Sequence, residues 1–449
     1  MRLTILGGGG FRVPLVVRAL RAPAARGLVD EVVLHDVDPQ RLRAIANVVA
    51  ELPGGMAGEG PVVGGTTSLD VALRGADVVF SAIRVGSAAG RVADERVALD
   101  LGVLGQETTG AGGVAYALRT LPVAVDVARR VAELAPSAWV VNFTNPAGMV
   151  TRAMGEVLGE KVIGICDSPS GLVRRAALAA GLDPAATVLP DYVGLNHLGW
   201  LRGLWSDGVD HLPALLADDG RLATFEEGRL FGPSLPRLLG ALPNEYLHYY
   251  YYARESVAAT RAAVATRGET LAAAQAELYP ALAASPSGAL ERWEAARRAR
   301  EEGYLAEARP AGEARDEADL AGGGYEQVAL AVMRAVLTGE PAELILNVRN
   351  GSALPQLSPD AVVEVPCTVD GTGAHPHTMR ALDAHQLGLV LALGAVEDAT
   401  VAAATTGSRS AALRALTVHP LVDSARVAEQ LLDGYVAAHP ELAALLVQR

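Results

Sequence analysis

The sequence predicts an α/β fold: a Rossmann-like, doubly wound parallel sheet with a C-terminal α+β domain. Three observations predict it. The first third alternates short, β-branched apolar runs with helical patterns, as successive βαβ units do. The first of those runs enters a glycine turn, and the second ends in an acid. After about Asp191 the alternation gives way to longer helices and scattered strands.

In chain order, RLTIL, EVVLHD, ADVVFSAI, AWVVNFT and KVIGIC are expected strands, near-continuously apolar as strands covered on both faces must be. PLVVRALRAPA, PQRLRAIANVVAEL and LRTLPVAVDVARRVAELA are the helices between them. Residues 1–190 are therefore expected to form one Rossmann-like domain, and 191–449 a second, α+β domain. The second begins with a strand-like YVGLNHLGWLRGLWSDG and continues through an aromatic cluster, LPNEYLHYYYYARE. A charged helical stretch, LERWEAARRAREEGYLAEA, comes next. A loop at 321–324, a helix near Gln327–Leu337, strands AELILNVRN and AVVEVPCTVD, and helices at Met379–Leu393 and Ser424–Val436 complete the chain.

Composition narrows the function. Half of the 449 residues are hydrophobic, enough for a substantial core, and the formal net charge is −13. That charge argues against nucleic acid or an anionic membrane as partner. The two cysteines, Cys166 and Cys367, exclude a disulfide framework and suit a reducing cytosol. No signal-peptide pattern and no uninterrupted apolar run of transmembrane length is read, so a cytoplasmic protein is expected.

Gly7, Gly8, Gly9 and Gly10, followed by Phe11 and Arg12, follow the first strand. Glycines there let the backbone approach a pyrophosphate whose charge sits at a helix N-terminus. Gly7-x-Gly9-x-x is followed by Arg12 in place of the usual third glycine. Asp36, at the end of the second strand, has the spacing of an acid that takes ribose hydroxyls, or else it caps the next helix. An acid there repels a 2′-phosphate, so NAD is preferred over NADP.

Polar groups gather at expected strand ends in GRVADERVALDLGVLGQETTGAGG, NFTNP, GICDSP and GLNHLGW. In doubly wound folds the ligand lies outside the carboxyl ends of the strands, so these loops can converge. Thiolate, imidazole and carboxylate all ligate divalent metals. Taken alone, Cys166 could be a small core residue, His197 a satisfied core histidine, and the tyrosines packing.

GQETTGAGG, NFTNPAGMVT, CDSP, GLNHLGW and LPNEYLHYY, in that order behind the glycine turn, resemble glycoside hydrolase family 4, the NAD- and metal-dependent glycosidases. The resemblance runs from Arg2 through NVRNGSALPQLSPDAVVEVPC. It implies a lactate/malate dehydrogenase-like architecture and a route outside the usual two-carboxylate hydrolysis. NAD⁺ oxidises C3 of the sugar, a base removes the C2 proton, the aglycone leaves C1, water adds, and the hydride returns. The resemblance assigns the metal, manganese by family expectation, to Cys166 and His197. It makes Asp167 the acid for the leaving group, Tyr246 the C2 base and Glu107 a support for that base. Arg91, Asn145 and Arg267 become substrate-binding residues, with a phosphorylated sugar as substrate and a homodimer or homotetramer as the assembly. The residue after the metal cysteine is usually asparagine in 6-phospho-β-glucosidases, and Asp167 looks more like the α enzymes. NFTNPAGMVT and VVEVPC look closer to the β members. The expected activity is 6-phospho-β-glucosidase; the alternatives are 6-phospho-α-glucosides or unphosphorylated glycosides. A 2-hydroxyacid dehydrogenase leaves CDSP and GLNHL without roles, and a non-catalytic sensor predicts a missing chemical group where all are present.

Overall fold

The structure, a computed structural model, describes residues 1–54, 60–309, 315 and 324–446. Six parallel strands form its N-terminal half: β1 (Arg2–Leu6), β2 (Glu31–His35), β3 (Val62–Thr66), β4 (Val78–Ser81), β5 (Trp139–Asn142) and β6 (Val162–Gly164). Their spatial order is β3-β2-β1-β4-β5-β6, the doubly wound arrangement expected. Along β1, Leu3 and Ile5 join a core on one face while Leu6 joins a core on the other. Burial on both faces is what made these strands legible as apolar runs. The exception is β3, an edge strand with Gly64 and Gly65 and little burial, which the apolar pattern does not reveal.

The sheet continues past residue 190. Strands β7 (Leu189–Leu195), β8 (Leu198–Ser206), β9 (Val209–Asp210), β10 (Leu242–Pro243), β11 (Ala342–Arg349), β12 (Val362–Asp370) and β13 (Gly373–Pro376) extend it with antiparallel pairings. The order runs β6-β11-β12-β7-β8-β10, so the second half of the chain builds directly onto the edge of the first. The join is narrow. Asn347 of β11 pairs there with Gly164 of β6, and within the second half Glu364 of β12 pairs with Gly194 of β7.

Glycine is required at that join. A Cβ on Gly164 would lie 2.3 Å from Thr151 Oγ1 and 2.8 Å from Asn347 Cβ. Overpacking of this kind costs about 1–3 kcal/mol. Gly164→Ala is therefore expected to lower the thermal midpoint, measured by calorimetry, with no gain of any contact to offset it.

Three elements depart from the sequence reading. YVGLNHLGWLRGLWSDG is a hairpin, not one strand, because the chain reverses at Asn196–His197 between β7 and β8. His197 takes a left-handed conformation (φ 62°), unusual for a residue other than glycine and so not signalled by composition. GRVADERVALD is helix Ser87–Asp100 rather than a strand-end loop. The third departure is the expected helix at Met379–Leu393, which starts at Ala384 behind a capping box from Asp383 and runs to Thr406. By length and composition (mean hydropathy 1.7) this last helix could cross a membrane, a property hidden in the sequence by Glu397 and Asp398. In the fold it packs against helices Ala111–Leu134 and Arg409–Thr417. Apart from Gly324, the loop expected at 321–324 lies outside the described residues.

Candidate active site

The carboxyl ends of β1, β4, β5 and β6 open into a cavity of about 1380 Å³, lined by Phe11, Ile83, Asn145 and Cys166 from those ends. Ligand clefts of doubly wound sheets lie at this position. Ten arginines and six carboxylates are among its described lining residues, in a chain whose net charge is −13. The cavity thus concentrates positive charge locally. Arg300 makes the point: burial, then crowding by Arg12 and Arg267, lower its pKa to about 9. An anion placed among these guanidinium groups would relieve that repulsion.

At the glycine turn, Gly7 has φ 80°, and a Cβ on it would meet the Ala82 carbonyl oxygen at 2.4 Å. Helix Val13–Arg21 follows with no side-chain cap, so the positive end of its dipole faces the glycine turn, where a phosphate would be favoured. Asp36 accepts from the Gly9 N–H (2.9 Å) and from the Asp38 N–H (3.0 Å). The alternative role weighed for it falls to Asp38, whose carboxylate caps helix Pro39–Glu51. In place of a third glycine, Arg12 turns toward Asp167 (3.8 Å) and Glu301 (3.7 Å).

Cys166 and His197 come together from the end of β6 and the β7–β8 turn, with Sγ 3.7 Å from Nε2. The Nδ1 of His197 is 2.8 Å from Thr108 Oγ1. Burial lowers the His197 pKa to about 3, so its imidazole is neutral and Nε2 has a lone pair to offer. Burial and then the Glu364 charge push the Cys166 thiol well up. Asn145 Oδ1, lining the same cavity, is buried with no hydrogen-bond partner among the described residues. Thiol, neutral imidazole and an orphaned carbonyl oxygen fit a divalent cation with positions left for substrate. Among the described residues no third His, Cys, Asp or Glu completes a protein-only metal cage.

Tyr246 stacks on His197, ring centroids 3.7 Å apart and planes within 12°. Its hydroxyl meets that of Tyr304 at 3.1 Å. Within the run that follows, Tyr250 donates to the Thr109 carbonyl, Tyr252 to the Phe231 carbonyl, and Tyr251 pairs with His385 and Trp200. Asp167 stands beside Cys166 at the start of helix Ser168–Ala179. Glu107 bonds to Arg91 and Arg84, not to the Tyr246 hydroxyl. Arg91 also donates to Glu95 (2.7 Å), and Arg267 donates to the Arg300 carbonyl (2.7 Å) at the end of helix Ala289–Glu302. All three line the cavity.

Among the lining residues that the sequence reading did not single out, two stand next to Tyr246. Glu245 is 5% exposed, accepts from Ser168 Oγ at 2.6 Å, and leaves Oε2 buried with no hydrogen-bond partner among the described residues. Burial, then Glu227, raises its pKa to about 8. Its position beside Tyr246 in LPNEY was the available signal. Tyr304, inside a charged helical stretch, gave none.

Fold and cleft define an enzyme class: a dinucleotide-type sheet carrying a cationic site with a thiol–imidazole pair and a phenol. Residues 2–181 match the family described as family 4 glycosyl hydrolase, and residues 192–422 match its C-terminal domain. The chain belongs to glycosyl hydrolase family 4. It is 32% identical over 385 residues to a 6-phospho-β-glucosidase of Escherichia coli, covering 82% of this chain and 79% of that one. Against the "Probable 6-phospho-beta-glucosidase" of Bacillus subtilis the identity is 30%, over 98% and 96% of the two chains. Among solved structures, a Thermotoga maritima 6-phospho-β-glucosidase with manganese, NAD⁺ and glucose-6-phosphate superposes with TM-score 0.81 at 26% identity, covering 98% of this chain and 99% of that one. A 6-phospho-α-glucosidase from gut microorganisms, with NAD and glucose-6-phosphate, gives 0.80 at 27% identity, covering 98% of each.

Proposed function

We propose that the chain hydrolyses 6-phospho-β-glucosides with NAD⁺ and a divalent metal, manganese by the precedent of its relatives. The observation that carries this reading is the stack of Tyr246 on His197, with Cys166 Sγ 3.7 Å from the imidazole and Asn145 Oδ1 unpartnered in the same cavity. When bound, the two cofactors would supply a hydride acceptor for the sugar C3 and a Lewis acid for a carbonyl at that carbon. Cys166, His197 and Asn145 orient the sugar's reacting edge. Tyr246 takes the C2 proton, and Asp167 gives a proton to the departing oxygen. Arg91 and Arg267 belong to the cationic rim that receives the phosphorylated sugar, with Glu107 fixing Arg91 and Arg84. Gly7–Gly10, Phe11, Arg12 and Asp36 hold the dinucleotide. The same reading carries a cytoplasmic location and a homodimer or homotetramer.

Both 6-phospho-β- and 6-phospho-α-glucosidases resemble the chain, and Asp167 keeps the α reading as the alternative. The test is hydrolysis of paired p-nitrophenyl 6-phospho-α- and 6-phospho-β-glucosides and their unphosphorylated counterparts, with NAD⁺, Mn²⁺ and a reductant. Cleavage of the phosphorylated β anomer is expected, and it should disappear with EDTA or without NAD⁺. Cleavage of the α anomer alone would reassign the substrate, and cleavage insensitive to both omissions would overturn the mechanism.

A further inference from the structure

Beneath the Cys166–His197 pair, Glu364 of β12 is fully buried. Its Oε2 accepts from the Tyr192 hydroxyl (3.1 Å). Its Oε1 accepts from two amides at once, Asn196 Nδ2 (3.1 Å) and Asn347 Nδ2 (2.9 Å). Those two asparagines lead to different metal-ligand loops. Asn196 precedes His197 in the tight turn where His197 is held left-handed. Asn347 pairs with Gly164, two residues before Cys166. One carboxylate oxygen therefore ties the loop carrying the imidazole to the strand carrying the thiol.

The glycines of GLNHLG are shaped for this network. A Cβ on Gly199 would fall 2.2 Å from the Tyr192 hydroxyl, and one on Gly194 would fall 2.1 Å from the Leu198 carbonyl oxygen. Gly164 gives Asn347 the same clearance. A buried carboxylate with three donors and no cation among its hydrogen-bond partners is costly to keep for stability alone. Burial raises its pKa to about 7, and a divalent cation above it would favour the charged form.

We infer that Glu364 is a positioning residue for the metal, holding Cys166 and His197 in register through Asn347 and Asn196 and supplying a negative charge behind them. This rests on the assignment of those two residues as metal ligands. Outer partners of this kind set metal affinity by about 10- to 100-fold.

The test measures Mn²⁺ binding to the full-length protein by electron paramagnetic resonance, so turnover is not needed. Glu364→Gln is nearly isosteric: its carbonyl oxygen can still accept from both asparagines, and its amide can donate to a rotated Tyr192 hydroxyl. It is expected to weaken Mn²⁺ binding about 10-fold or more, leaving NAD⁺ affinity, read by fluorescence titration, unchanged. Asn196→Ala cuts the tie to His197 without removing the charge, and weaker Mn²⁺ binding is expected there too. Cys166→Ser serves as the control for the site itself. Wild-type Mn²⁺ affinity in both Glu364→Gln and Asn196→Ala, with binding lost in Cys166→Ser, would overturn the role of Glu364 and leave the metal site standing. Wild-type affinity in all three would overturn the ligand assignment as well. Should Glu364→Gln not fold, Asn196→Ala decides.

Discussion

Cys166→Ser is expected to abolish metal-dependent turnover, by about 10³-fold or more, while NAD⁺ binds almost as before. The size follows from Lewis-acid polarisation being worth several kcal/mol, at roughly 1.4 kcal/mol per tenfold in rate. Burial and the neighbouring Glu364 charge push the Cys166 thiol well above its ordinary pKa. The thiolate is therefore disfavoured until a cation arrives, and the cation in turn needs the thiolate. Serine has a far higher pKa and a harder, shorter-reaching oxygen, so it breaks this mutual dependence without changing the volume much. The glycine turn is unaffected because β4 and β5 stand between β1 and β6. Steady-state rates across a Mn²⁺ series, with NAD⁺ titrated separately by fluorescence, check the prediction. Normal activity in the variant would remove Cys166 from the metal site. A parallel loss of NAD⁺ binding would mean that the substitution damages the sheet.

What the sequence made legible follows the physics of burial. The central parallel strands announce themselves because both faces are covered, and the glycine turn because a Cβ on Gly7 would strike the Ala82 carbonyl. Helix Ser87–Asp100 stayed hidden for the opposite reason. Its buried face carries Asp94 and Glu95, 2% and 5% exposed, and charges usually mark the solvent side. Asp94 is satisfied by Arg119, and Glu95 by Arg91 and the Gly268 N–H, partners as far as 173 residues away that no local pattern reveals. The β7–β8 turn was hidden by apolar residues on both sides and by a left-handed histidine where glycine would have signalled a reversal. The candidate ligands and base could be named from motif order, but not their relation. That Tyr246 stacks on the very imidazole that faces Cys166 is a consequence of β8 pairing with β10, just ahead of Tyr246. Tyr304 reaches the same place from a helix end with no motif at all.

Tyr246→Phe is the substitution that tests that relation, and a loss of about 10²- to 10⁴-fold in turnover is expected, the range for removing a general base. Burial pushes the phenol well above its ordinary pKa, the Glu245 and Cys166 charges push the same way, and the Tyr304 hydrogen bond opposes them. Those carboxylate and thiolate charges are what a divalent cation between Cys166 and His197 would counter, so the base should work only where the metal site is intact. Phenylalanine keeps the ring on His197 and removes only the oxygen. The variant should therefore bind NAD⁺ and Mn²⁺ normally and fail to exchange the substrate's C2 proton with deuterated solvent, followed by proton magnetic resonance. Tyr304→Phe separates the two phenols. If Tyr304 only donates to Tyr246, its loss should slow C2 exchange without stopping it. Exchange that survives in Tyr246→Phe and stops in Tyr304→Phe would make Tyr304 the base, since the two hydroxyls are 3.1 Å apart and either could reach a sugar edge held by Asn145. Exchange that survives in both would place the base outside this pair, with Glu245 the next group to replace because its Oε2 is buried, unpartnered and adjacent.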